Sequence, residues 1–92
     1  MIGRVHWLIH NLSPSFKGAY KLSFDYVLHR YFFYRMIGRS RKIRDTFIIV
    51  RTSKRCFRLM YHNLVTKSTI YESYETSALC AQRMLEIWRL NA

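Results

Sequence analysis

Acidic residues are what this chain lacks most. Five Asp and Glu face sixteen Lys and Arg in 92 residues, a formal net charge of +11. Carboxylate chemistry therefore has little to draw on. Glu72 and Glu75 are the only close pair, and on a strand they point to opposite faces, which makes a poor acid–base pair. Glycine is scarce too: Gly3, Gly18 and Gly38 stand alone, so no glycine-rich phosphate loop exists. With one proline, no low-complexity tract and no internal repeat, linker and solenoid architectures are excluded. The longest uncharged run, Val5 to Phe16, is 12 residues long and includes two histidines. A bilayer-spanning helix needs about 20 apolar residues, so this run is too short and too polar.

Cysteine is equally sparse. Cys56 and Cys80 form no CxxC pair, and an imagined zinc site of Cys56, His62 and Cys80 lacks any tight ligand pair. His6 and His10, placed on a strand, stand about 13 Å apart, too far to share a metal. Both thiols read as structural, and no cofactor or metal is expected. The segment MIGRVHWLIH carries neither the long apolar core nor the small-residue cleavage site of an export signal. The expected location is thus cytoplasmic and reducing. No catalytic signature is visible, and the chain reads as a non-enzyme.

What is present is apolar and aromatic. Half the residues are hydrophobic and 16% are aromatic, far above a disordered tail, so residues 1–92 read as one folded domain. A chain of this size buries about 60–65% of its unfolded surface, enough for a modest core. Thr46–Arg51 (TFIIVR) has strand character, and TSKR reads as a turn. Cys56–His62 alternates, with Phe57, Leu59 and Tyr61 on one face and Cys56, Arg58, Met60 and His62 on the other. Thr69–Tyr74 is a third strand. Thr76 or Ser77 then caps a C-terminal helix whose Ala78, Ala81, Met84, Leu85 and Trp88 face inward.

In the N-terminal half, Val5, Trp7 and Ile9 suggest a short strand and NLSPSFKG a loop. Residues 20–28 alternate like a strand, yet no turn residue interrupts the chain between Gly18 and Gly38. An unbroken strand of that length extends roughly 60 Å, too long for so small a domain. A helix over about 24–37 avoids this, with Ser23 as N-cap and Gly38 at the left-handed C′ position. The expected fold is α+β: a three- to four-stranded antiparallel sheet, a C-terminal helix on one face, and a second helix before the strands.

Charge points to function. Eleven of the basic residues are arginines, which favours planar, bidentate contacts with phosphate or carboxylate. Ten of the sixteen lie between Arg30 and Arg58, where Asp45 is the only acid. The stretch RYFFYRMIGRSRKIR divides at Gly38. Before it, Phe32 and Phe33 read as core; after it lies an exposed cationic loop. On a helix Arg30, Arg35 and Arg39 share no polar face, which argues against a membrane anchor. The expected partner is DNA or RNA, gripped mainly through phosphates with little sequence specificity. The contacts fall to Arg39, Arg41, Lys42, Arg44, Lys54, Arg55 and Arg58, supported by Arg35 and Tyr34. A second reading is an inhibitor of the phage or mobile-element type, binding a host nuclease, polymerase or other nucleoprotein machine through protein contacts. There Tyr34 or Trp88 would be a buried anchor. A ribonucleoprotein subunit is a third.

Overall fold

The computed structural model describes residues 8–25, 27–28 and 30–91. Of the strand expected around Val5, Trp7 and Ile9, residues 5–7 lie outside them, and Ile9 and His10 form a 3-10 turn where a strand was expected. After a single 3-10 turn (Ile9–Asn11), the elements are α1 (Pro14–Ala19), β1 (Lys21–Asp25), β2 (Arg30–Met36), β3 (Ile43–Ser53), β4 (Cys56–Asn63), β5 (Ser68–Tyr74) and α2 (Ser77–Asn91). The five strands form one antiparallel sheet in the order β1-β2-β3-β4-β5, so each pairs with its neighbours in the chain. The α+β class and the C-terminal helix stand as expected, with five strands in place of three or four.

The helix expected over 24–37 does not form; these residues make the end of β1, a turn and all of β2. The missing turn residue is Asp25. Its Oδ1 accepts hydrogen bonds from the backbone N–H groups of Val27 and Leu28 at 3.0 and 3.1 Å, and its Oδ2 accepts from Arg30 at 3.2 Å. A carboxylate thus reverses the chain without glycine or proline. Once it is reversed, the β-branched and aromatic composition, a poor source of helix, favours strands.

NLSPSFKG is also not a plain loop, because α1 begins within it. Ser13 is its N-cap, accepting from the Phe16 N–H at 3.1 Å, and the chain's one proline takes the first helical position. This helix delivers Phe16 to the centre of the core. Its ring stacks on Tyr20 at 4.7 Å and meets Phe33, Phe47 and Trp88 edge-on at 5.5–5.6 Å. Among the expected caps of α2, Thr76 is the one used; its Oγ1 accepts from Leu79 N–H at 3.1 Å. The buried stripe of α2 is Cys80, Ala81, Met84 and Ile87. Ala78 is exposed, so the helix is rotated slightly from the predicted face.

The helices cover one side of the sheet. Toward them point Tyr31 and Phe33 of β2, Phe47 and Ile49 of β3, and Phe57, Leu59 and Tyr61 of β4, all buried. Among these apolar groups Asp45 is fully buried. Its Oδ2 accepts from the hydroxyls of Tyr20 and Tyr61, both at 2.8 Å, and its Oδ1 accepts from Arg35 Nε at 2.6 Å. Arg35 Nη2 continues to the carbonyl of Asn91 at 2.8 Å, where α2 ends. Burial and the hydrogen bond to the Asp45 carboxylate hold the Tyr20 hydroxyl far above its ordinary pKa and push Tyr61 up to about 12.

Two outcomes follow from this network. Asp45→Ala strands a largely buried guanidinium and two buried hydroxyls, and should lower the unfolding free energy by about 3–5 kcal/mol in urea titrations. The raised tyrosine values also fix a pH response. Stability from Tyr61 is fully present below its unfolded value of 10.0 and is lost as pH rises through about 12. Unfolding midpoints should therefore fall across that window, and fall less steeply in Tyr61→Phe.

Candidate nucleic-acid interface

The side of the sheet opposite the helices is open. Strand alternation sends Arg30, Phe32 and Tyr34 of β2 to it, together with Thr46, Ile48 and Val50 of β3, Arg58, Met60 and His62 of β4, and Thr69, Tyr71 and Ser73 of β5. Register places these in rows across the strands. One row runs Arg30, Val50, Arg58, Ser73; the next runs Phe32, Ile48, Met60, Tyr71; a third runs Tyr34, Thr46, His62, Thr69. An apolar row with an aromatic at each end thus lies beside a row bearing two arginines. Tyr71 is 58% exposed. A shallow cavity of about 230 Å³ opens here, lined chiefly by Arg30, Ile48, Val50, Arg58, Met60 and Tyr71.

The two arginines differ in their surroundings. Arg30 is tied to Asp25 at 3.2 Å, and its guanidinium lies over the Phe32 ring, 5.2 Å from the centroid. Its Nε is buried and has no hydrogen-bond partner among the described residues. Arg58 is exposed and enters none of the ion pairs of the described residues.

The expected contact residues divide into three groups. Arg39, Arg41 and Lys42 lie exposed in the β2–β3 loop, where Gly38 takes a left-handed φ of 51° and Ile37 N–H donates to Lys42 O at 3.0 Å. Lys54 and Arg55 lie exposed in the β3–β4 turn. That turn and the loop sit at opposite ends of β3, which at 11 residues extends roughly 35 Å. They are not one patch. Arg58 and Tyr34 sit on the open face between the two ends.

Arg35 and Arg44 leave the proposed site. Arg35 is the partner of Asp45 and is only 13% exposed in its side chain. Arg44 falls at a bulge, where Arg35 pairs with Asp45 but Met36 pairs with Ile43. A bulge breaks the alternation that would aim Arg44 at the open face. Arg44 Nη2 instead donates to Asn91 O at 3.2 Å, so both arginines cap the C-terminus of α2. Phe32, expected in the core with Phe33, lies half-buried on the open face.

Alternation set Met60 with Arg58 and His62 away from the core, as found, but sequence reasoning missed Arg30, Phe32, Ile48 and Tyr71 as part of that surface. The signal was the alternation of RYFFYR, legible only once 30–36 is a strand. No helix among the described residues is long and apolar enough to cross a membrane, and none of their His, Cys, Asp and Glu side chains cluster in a way that could hold a metal. No protein-family model, curated protein or solved structure matches the chain.

Stability separates the two kinds of arginine. Arg35→Ala leaves a buried carboxylate unpaired and should cost about 3–5 kcal/mol. Arg39→Ala and Arg58→Ala remove exposed cations and should stay within about 0.5 kcal/mol of the parent. Denaturant midpoints for the three variants check the contrast.

Proposed function

We propose that this protein is a non-catalytic binder of nucleic acid, gripping it mainly through backbone phosphates. The observation that carries the reading is the distribution of charge. Asp25, Asp45, Glu72 and Glu86 are each engaged by Arg30, Arg35 or Arg83. The remaining carboxylate, Glu75, sits beyond the end of β5. Arg39, Arg41 and Lys42 at one end of the sheet, Lys54 and Arg55 at the other, and Arg58 between them are all exposed. Such a cationic track with no acid among its members suits a polyanion that extends along the sheet. Guanidinium groups there pair with phosphates and release condensed counterions, which supplies affinity without reading sequence.

A second reading has one observation in its favour. Ile37 and Ile43, 42% and 38% exposed, and Leu64 and Val65, 45% and 60% exposed, lie at the same end of the sheet as the β2–β3 loop. Exposed apolar groups beside cations suit an acidic protein surface, as in an inhibitor of a nucleoprotein machine. Phosphate binding needs none of them.

Salt titration distinguishes the two. Binding to single- and double-stranded DNA and RNA should weaken steeply with salt. Replacing Arg39, Arg41 and Lys42 by alanine should reduce the log–log slope for a single strand by roughly 0.7 per cation removed. If neither DNA nor RNA binds at physiological salt, the nucleic-acid reading is wrong, and capture of protein partners should depend on Ile43 and Leu64.

A further inference from the structure

We infer that the open sheet face receives an unpaired nucleobase, which makes a single strand the preferred form of nucleic acid. The inference rests on the nucleic-acid reading and names the form taken at that surface. Phosphate contacts alone would need only the exposed cations. The cavity between Arg30, Arg58 and Tyr71 offers something else: an apolar floor of Ile48, Val50 and Met60, an exposed phenol ring at its edge, and guanidinium groups on its rim. Those are the two halves of a nucleotide's chemistry side by side, a flat apolar heterocycle and its phosphate.

Each residue has a distinct part. Tyr71 stacks on the base, since its ring is more than half exposed and every base has a π-face. Arg58, unpaired among the described residues, takes the adjacent phosphate. Arg30 cannot serve equally well as a phosphate ligand, because Asp25 stands 3.2 Å away and repels a second anion. Held over Phe32, it presents a guanidinium plane on which a neighbouring base can lie. In a duplex the bases are stacked on each other and their faces are closed to this ring. A single strand leaves them available, and charge complementarity with the surrounding arginines brings the strand to the face.

The test uses the full chain, fluorescence anisotropy and three probes: a short oligo-dT strand, an abasic strand of equal length, and a duplex. Oligo-dT should bind more tightly than the abasic strand by about 5- to 150-fold, the range expected for one stacked base, and more tightly than the duplex. Tyr71→Ala should remove most of the oligo-dT advantage, leaving only what the Arg30 plane supplies, and leave abasic binding unchanged, while Tyr71→Phe should retain most of the difference. Arg58→Ala should weaken both strands. Equal binding of oligo-dT and abasic strand, tighter binding of the duplex, or equal losses on both strands in Tyr71→Ala would overturn the inference and leave the phosphate-binding reading intact. A dimer in sedimentation that Tyr71→Ala dissolves would also overturn it, because a second copy would then cover the face. Failure of all three probes, and of the matching RNA strand and duplex, to bind removes both readings at once.

Discussion

Asp45 sits where the sheet, the segment after α1 and the end of α2 come together, and its two oxygens take hydrogen bonds from Tyr20, Tyr61 and Arg35. A lone carboxylate in that position is costly to bury. It is tolerated because three donors surround it, one of them cationic. Arg35 then carries the connection to the last carbonyls of α2. A buried ion pair of this kind contributes less to net stability than an apolar replacement often would, but it tolerates few alternative arrangements. It fixes which end of the helix lies over β2 and β3.

Covering one side is what leaves the other side for work. Phe33 and Phe32 are adjacent in the chain and meet different fates, one in the aromatic cluster around Phe16 and the other beneath Arg30 on the open face. The same alternation puts Leu59 in the core and Arg58 and Met60 outside. Structural arginines and available arginines are separated by the same geometry. Arg35, and Arg44 by way of its bulge, turn to the helix end. Arg39, Arg41, Lys54, Arg55 and Arg58 stay outside with no carboxylate among their near neighbours in sequence, apart from Asp45, which is already engaged.

The C-terminal half was legible from sequence because its periods are clean. Phe57, Leu59 and Tyr61 alternate without interruption, and Thr76 opens a helix with an apolar stripe. The N-terminal half was not, for a specific reason. Turn signals are usually sought in glycine and proline, and this chain has few of either. Asp25 turns β1 into β2, and Asn63 does the same between β4 and β5, its Oδ1 accepting from the N–H groups of Val65 and Thr66 at 3.0 Å each. Either residue alone is a weak signal. Missing the first turn converted two strands into a helix and hid the surface they help to form. The exposed cationic loop after Gly38 was legible, because glycine marked it. That its cations lie far from Lys54 and Arg55 was not, since the separation depends on the length and direction of β3.

The meander has a consequence for how the chain assembles. Every strand pairs with the one before it, so the sheet can grow by successive hairpins at little loop-closure cost. The bonds that seat the helix are of another kind: Arg35 reaches Asn91 across 56 positions, and Asn11 reaches Ser77 across 66. These distant closures cannot form until the strands between the partners are in place. The open face, made from the strands alone, is therefore assembled by local steps, whereas the covered face waits for α2 to dock.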